Sequence, residues 1–336
     1  MLILNYTFNL NEIFLLVTLI LINLFILYNR VIIASKLKIN DYPNDRKIHS
    51  KPTPMIGGIC VVITLISVSL FNYFYDEIFF IELIINVIFC LVFFLVGFFD
   101  DVKQLSPKLR TLIIVSVSAL LLLNNNYQIQ NLIFKYSNLG ISLGYLSYFF
   151  SIFCIFALYN ALNFIDGYNG VSTSIVIYWI IFLLINNPNL YYLISLVILV
   201  IIFFYNIGGK IFLGNSGTNI LSIFISLSVL LDYNKFQSFY ADEILFVLFF
   251  PGIDMIRVTI QRIIERKNIY SPDQSHFHHY LIKKKIKYIW QTMLCLSILP
   301  YLLLVISKNT FFTLFLSTII YIIIFMLLKT NKTIKL

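Results

Sequence analysis

Charge is what this chain has least of. Only 12% of its 336 residues are charged, against 60% hydrophobic, whereas a soluble globular protein carries about 25% charged residues. That deficit excludes a soluble globular domain and indicates a polytopic membrane protein. Cysteine is almost as sparse. Cys60, Cys90, Cys154 and Cys295 lie far apart inside apolar segments, with no CxxC pair among them. This excludes a disulfide framework or a zinc cluster and leaves packing as their role. The first apolar segment lacks the charged start and small-residue cleavage site of a signal peptide, so it reads as a retained span. Nothing marks off a soluble module or a nucleic-acid-binding patch, and residues 1–336 read as one integral-membrane domain.

What is present is apolar sequence in runs. A helix needs about 20 apolar residues to cross about 30 Å of hydrocarbon. Eleven candidate spans meet or approach that length, near 9–29, 55–72, 78–98, 109–124, 144–162, 170–187, 190–206, 215–231, 242–260, 288–306 and 310–328. Ten is the count if one of the short segments does not cross. The expected fold is all-α, a polytopic membrane bundle.

Basic residues assign the two sides, because short cytoplasmic loops are enriched in Lys and Arg. Of the 24 such residues, all but Lys135, Lys235 and Lys308 fall in one set of alternate loops and the C-terminal tail. The expected orientation therefore puts the N-terminus outside and the C-terminus in the cytoplasm. The unusual polar clusters fall on the same cytoplasmic side. They are Asp41–Ser50 with the following "KPTPMIGG", the pair Asp100–Asp101, "NALNFIDGYNG" at Asn160–Gly170, "FLGNSGTN" at Phe212–Asn219, and "SPDQSHFHHYL" at Ser271–Leu281. Five loops converging on one face predict a single cytoplasm-facing site. The outer loops offer nothing comparable.

Each cluster suggests chemistry. Asp100 and Asp101 could simply end their helix, but adjacent like charges raise each other's pKa unless a cation is present. Magnesium would supply one, since it takes oxygen ligands and retains waters and substrate phosphates. On a helix the two side chains diverge by about 100°, so one acid can face a metal while its neighbour faces elsewhere. Asn160, Asn163 and Asp166 recur at intervals of three and would share a helical face, which favours substrate binding over a plain helix end. Gly167 and Gly170 permit a tight turn. "FLGNSGTN" opens a span and could offer backbone N–H groups to a phosphate, although it is also a generic turn. His276, His278 and His279 stand beside the basic run Lys283–Lys287 and form a donor patch. His49 lies in a second basic loop. Anionic lipid headgroups are the plain alternative partner for both. Together these are the ingredients of phosphoryl transfer, in which catalysis is chiefly positioning and charge neutralisation.

In order and spacing, these motifs resemble the polyprenyl-phosphate N-acetylhexosamine-1-phosphate transferases, in the branch of the WecA and TagO enzymes and more distantly of MraY. The resemblance runs from "DYPNDRKIHSKPTPMIGG" through "GFFDD", "NALNFIDGYNG" and "FLGNSGT" to "PGIDMIRV" and "SPDQSHFHH". It implies transfer of an N-acetylhexosamine-1-phosphate, by default GlcNAc-1-phosphate, from a UDP-sugar to undecaprenyl phosphate in a bacterial cytoplasmic membrane. The products would be undecaprenyl-diphosphate-sugar and UMP, with Mg²⁺, or Mn²⁺ in its place, as cofactor; a homodimer is compatible with it. By the resemblance, Asp100, Asp101, His276, His278 and His279 would be catalytic. Lys51, Asn160, Asn163, Asp166, Asn169 and Asn215 would bind substrate, and Asp101 with Asn215 would meet the metal. The chain departs from the family in having Asn215 where an aspartate is usual, and Asn169 where a second acid often stands. A neutral carbonyl oxygen at position 215 would hold a metal more weakly. Two rival readings follow: an inactive lipid- or UDP-sugar-binding scaffold, motivated by Asn215, and a membrane transporter, which would show ionisable residues in mid-span.

Overall fold

The computed structural model describes residues 9–43, 51–75, 80–268 and 275–330. It is an all-α membrane bundle. The first half comprises α1 (Leu10–Tyr28), α2 (Arg30–Leu37), α3 (Gly57–Tyr75), α4 (Phe80–Lys103), α5 (Pro107–Leu121), α6 (Ser147–Ile165) and α7 (Val171–Asn186). The second comprises α8 (Leu190–Ile207), α9 (Gly214–Leu231), α10 (Ala241–Val247), α11 (Phe249–Ile264), α12 (Phe277–Lys283), α13 (Ile289–Ser307) and α14 (Thr310–Lys329). Every predicted span coincides with one of these helices, except that the ninth is divided between α10 and α11. Among the described residues seven helices are long and apolar enough to cross a membrane, and two shorter apolar helical segments, Gly57–Asn72 within α3 and Val171–Asn186 (α7), accompany them.

The division of the ninth span has a local cause. Pro251 has no N–H to offer the carbonyl four residues back, which belongs to Val247. That carbonyl instead accepts the indole N–H of Trp179 at 3.1 Å, so the break is bonded from α7.

At the centre lies α9, whose sequence GNSGTNILSIFISLSVLL supplies small residues that let neighbouring backbones come close. A Cβ at Gly97 of α4 would lie 2.4 Å from the Asn215 carbonyl oxygen, and one at Gly58 of α3 would lie 2.6 Å from the Gly217 nitrogen. Only glycine fits at these two crossings, which lock the start of α9 against α3 and α4.

Two short ladders decorate opposite ends of the bundle. At one end β1 (Asn40–Asp41) pairs antiparallel with β2 (Thr53–Pro54). The Phe212 N–H extends this ladder by donating to the Pro54 carbonyl at 2.9 Å, and Gly57 N–H returns to the Phe212 carbonyl at 3.1 Å. At the other end β3 (Asn131–Phe134) and β4 (Leu139–Ser142) form a hairpin that hydrophobic periodicity did not predict, because the segment is too short and polar to register as a span.

Candidate active site

Where α4 and α6 end and α9 begins, the chain encloses a cavity of about 460 Å³, lined among others by Asp41, Met55, Asp101, Asp166, Asn169, Asn215 and His279. All five predicted clusters contribute to this lining. His49 and the residues 271–274 lie outside the described residues.

Asp101 is fixed by α9. Its carboxylate accepts the Asn215 N–H at 2.8 Å, the Ser216 N–H at 3.0 Å and the Ser216 hydroxyl at 2.8 Å. The first N–H groups of a helix lack intrahelical partners, and Leu213, at the N-cap of α9, has no side-chain group to satisfy them. Asp101 caps that helix from α4. Gly214, at φ +71°, makes the approach feasible, since a Cβ there would stand 2.7 Å from Asp101 Oδ2.

Asp100 turns the other way. It accepts Arg110 Nη1 at 2.6 Å and the Leu105 N–H at 2.7 Å, is 6% exposed, and does not line the cavity. The hundred-degree divergence thus separates the pair into one cavity-facing acid and one ion-paired acid that closes the turn into α5.

The "NALNFIDGYNG" segment divides similarly. Asn160 and Asn163 each return an amide N–H to their own helix, at the Phe156 and Tyr159 carbonyls, both at 2.8 Å. Thr218 donates its hydroxyl to Asn163 Oδ1 at 2.8 Å, which ties α6 to α9. Neither asparagine is among the cavity-lining residues. Asp166 is, in the turn that ends α6, where it accepts the Ser172 hydroxyl. Burial pushes its carboxyl up to about 6, against the opposing pull of the Ser172 bond, and the nearby charge of Asp101 pushes in the same direction. Asn206, which the sequence reading passed over, shapes this turn by accepting the Gly170 N–H at 2.7 Å and donating to the Ile211 carbonyl at 3.0 Å.

Of the three clustered histidines, His279 reaches the cavity lining. His278 is 1% exposed and packs under the α6–α7 turn so closely that a Cβ at Gly167 would meet its Nε2 at 2.0 Å. Burial, then His279 and His276, hold His278 well below the ordinary histidine range, so it is neutral. His276 lies against the Phe164 ring at 4.7 Å between centroids.

The anchor of this histidine segment is Asp254, another residue to which sequence reading gave no role. Its carboxylate is 1% exposed and accepts Arg257 Nη2 at 2.6 Å, the Tyr321 hydroxyl at 2.8 Å and the Phe277 N–H at 3.3 Å. Arg257 also donates to the Ser275 carbonyl at 2.6 Å. α11, α12 and α14 therefore meet at one buried acid. The available signal was an acid three residues before an arginine inside an otherwise apolar span. Asp254→Ala leaves Arg257 without its carboxylate and the Phe277 N–H without an acceptor, and breaking such a buried pair costs about 3–5 kcal/mol. The expected result is a lowered unfolding midpoint in detergent, measured by tryptophan fluorescence.

Lys51 is exposed at the approach to β2, its carbonyl accepting the Thr53 hydroxyl at 3.2 Å. Its side chain is not in the cavity lining. Among the described residues no three His, Cys, Asp or Glu side chains gather into a self-sufficient metal site. What faces the cavity is three carboxylates on different segments, Asp41, Asp101 and Asp166, with the amides of Asn215 and Asn169 beside them. This hard-oxygen set fits Mg²⁺, which is bound through one or two carboxylates plus waters and substrate phosphates.

Residues 83–232 match glycosyl transferase family 4, a segment that contains Asp101, Asp166, Asn169 and Asn215. Over 259 residues the chain is 28% identical to the "probable undecaprenyl-phosphate N-acetylglucosaminyl 1-phosphate transferase" of Bacillus subtilis (strain 168), covering 74% of this chain and 71% of that protein. It is 28% identical over 267 residues to the undecaprenyl-phosphate alpha-N-acetylglucosaminyl 1-phosphate transferase of Thermotoga maritima, covering 79% of each chain. It is 25% identical over 275 residues to the protein of the same name from Escherichia coli (strain K12), covering 77% of this chain and 73% of the other.

Proposed function

We propose that this chain, whose residues 83–232 match glycosyl transferase family 4, transfers an N-acetylhexosamine-1-phosphate from a UDP-sugar to undecaprenyl phosphate and releases UMP. The observation that carries the reading is the pairing of Asp101 and Asp166, from two different segments, across one cavity of about 460 Å³ that also receives His279 and the start of α9. Two facing carboxylates repel each other and would be poorly placed for a purely neutral ligand. A divalent cation between them offsets the charge of the two carboxylates and lets a diphosphate approach.

In this reaction a phosphate oxygen of the lipid attacks the β-phosphorus of the UDP-sugar. The bond from that phosphorus to the bridging oxygen breaks, and UMP departs with the electron pair. A lipid phosphate monoester is already ionised at neutral pH, so no strong general base is required. The protein's task is to align nucleophile and leaving group and to balance charge. Asp101 and Asn215 would hold Mg²⁺, with Asp166 opposite. The ion's contribution when bound is to neutralise charge on the diphosphate. Asp101 is pre-positioned by its three α9 bonds and loses little freedom on binding. His279, at the lining, would donate to a phosphate oxygen. His278, neutral and buried, holds the Gly167 turn in place beneath it, and that turn carries Asp166 and Asn169. GlcNAc is the default sugar, and GalNAc or a deoxy-N-acetylhexosamine are the alternatives a donor panel separates.

The test is UMP release by the purified protein in detergent or nanodiscs with undecaprenyl phosphate, Mg²⁺ and several UDP-N-acetylhexosamines. Lipid-dependent UMP from one donor is expected. A second expected outcome concerns the metal. Asn215→Asp adds a carboxylate to the donor set, so half-maximal activity should be reached at a lower Mg²⁺ concentration than in the wild type. An unchanged Mg²⁺ titration would remove position 215 from the ligand set.

A further inference from the structure

The opposite end of the bundle holds a second concavity. Glu82 and Asp101 stand near the two ends of α4, nineteen residues apart and so about 28 Å along the helix. At the Glu82 end a recess of about 310 Å³ is walled by the 125–133 segment and by residues 233–240 that follow α9. We infer that this recess binds an uncharged saccharide, through the side-chain amides of Gln130, Asn131 and Gln237 and the aromatic faces of Tyr233 and Tyr240.

Three observations carry this. First, the lining is amide and aromatic, and among the described residues tyrosine is its only ionisable type. An amide offers donors and an acceptor on one group, which matches a hydroxyl that also does both, and an aromatic ring gives an apolar face with a polar edge. Second, the two nearby lysines are ion-paired. Lys235 pairs with Glu82 at 2.6 Å and Lys135 with Glu243 at 3.1 Å, and neither lysine lines the recess. Third, the walls are held in place from below. The Tyr233 hydroxyl accepts the Ile133 N–H at 2.9 Å and donates to the Asn131 carbonyl at 2.8 Å, while Asn234 donates to the Asn126 carbonyl at 2.9 Å. The wall turns through a π-helical segment, Asp232–Phe236, and through Gln237 at φ +49°, conformations that recur at functional sites. Gln130, Asn131, Gln237 and Tyr240 remain exposed around this clamp. The volume falls at the small end of the range of ligand pockets, about 300–1,000 Å³, and suits one or two sugar rings. Among the described residues, the two lysines nearest the recess are already ion-paired and so are poor partners for an anionic ligand.

The experiment is saturation-transfer difference NMR on the full chain in nanodiscs. The probes are N,N′-diacetylchitobiose, cellobiose and, as an anionic control, a sialylated lactose, with a Gln237→Ala/Tyr240→Ala variant alongside. UMP release is measured on the same samples. The expected result is saturation transfer to at least one of the two neutral disaccharides, its loss in the variant, and unchanged UMP release. Transfer that persists in the variant, or to the sialylated probe alone, would overturn the inference, as would no transfer to any probe. Because the recess and the Asp101 cavity lie at opposite ends of α4, an absence of UMP release in every sample would count against the transferase reading and leave the NMR result interpretable.

Discussion

Asp101→Asn should abolish most turnover while leaving the bundle folded. The carboxylate has two tasks that the substitution separates. As a cap it accepts from Asn215 and Ser216, and an asparagine carbonyl oxygen can keep part of that bonding. As one of the cavity's negative charges it is not replaced, because the amide is neutral and one of its two ends becomes a donor. Removing one pre-organised electrostatic group from a transition state of this kind costs about 10²–10³-fold in rate. The loss of a charged hydrogen bond at the helix start costs about 1.5–3 kcal/mol of stability. The expected pattern is therefore a lower but cooperative unfolding transition together with UMP release reduced by about two to three orders of magnitude. Equal and modest reductions in both would mean that Asp101 serves only as a cap.

Gly97→Val should be the most damaging single change to the fold. The Cβ of any other residue at this position meets the Asn215 carbonyl oxygen at 2.4 Å and its carbon at 2.5 Å. Both belong to a backbone that cannot rotate out of the way. Overpacking usually costs about 1–3 kcal/mol and more when backbone must shift, and here the displaced backbone carries Asn215 and the N–H groups that bind Asp101. Loss of most folded protein is expected on size exclusion, with Gly97→Ala intermediate in both folding and activity. Gly252, in α11, is the internal control. A Cβ there meets nothing within 4 Å, and replacing glycine by alanine inside a helix gains about 1 kcal/mol. Gly252→Ala should leave the unfolding midpoint unchanged or raised.

The helices were legible because long apolar runs have few other solutions in a membrane, and their ends fell close to the polar clusters that interrupt those runs. The convergence of "GFFDD", "IDGYN", "LGNSG" and "FHH" on one cavity was legible for the same reason. Which member of each cluster faces the cavity was not. Asp100 and Asp101 have the same sequence signal, and they are sorted by a turn through Gln104, at φ +51°, that brings Arg110 back onto Asp100. Asn160 and Asn163 do lie on one helical side, but each side chain closes on its own helix, and the Thr218 hydroxyl takes up Asn163. His279 reaches the cavity and His278 does not because α12 seats His278 against Gly167, a contact set by tertiary packing. Asp254 escaped notice because its partners, Tyr321 and the Phe277 N–H, are 67 and 23 residues away. The β3–β4 hairpin and the amide-lined recess lie in loops whose low charge and short length gave no pattern to read.

The central claim is that the bond broken lies between the two phosphorus atoms of the donor. The direct measurement uses a UDP-N-acetylhexosamine radiolabelled at the β-phosphorus, incubated with the protein, Mg²⁺ and undecaprenyl phosphate, and partitioned between butanol and water. The account predicts that label enters the lipid phase in step with unlabelled UMP in the aqueous phase. Label retained in aqueous UDP while sugar enters the lipid would mean that the sugar's own C1–O bond is broken, and would contradict it.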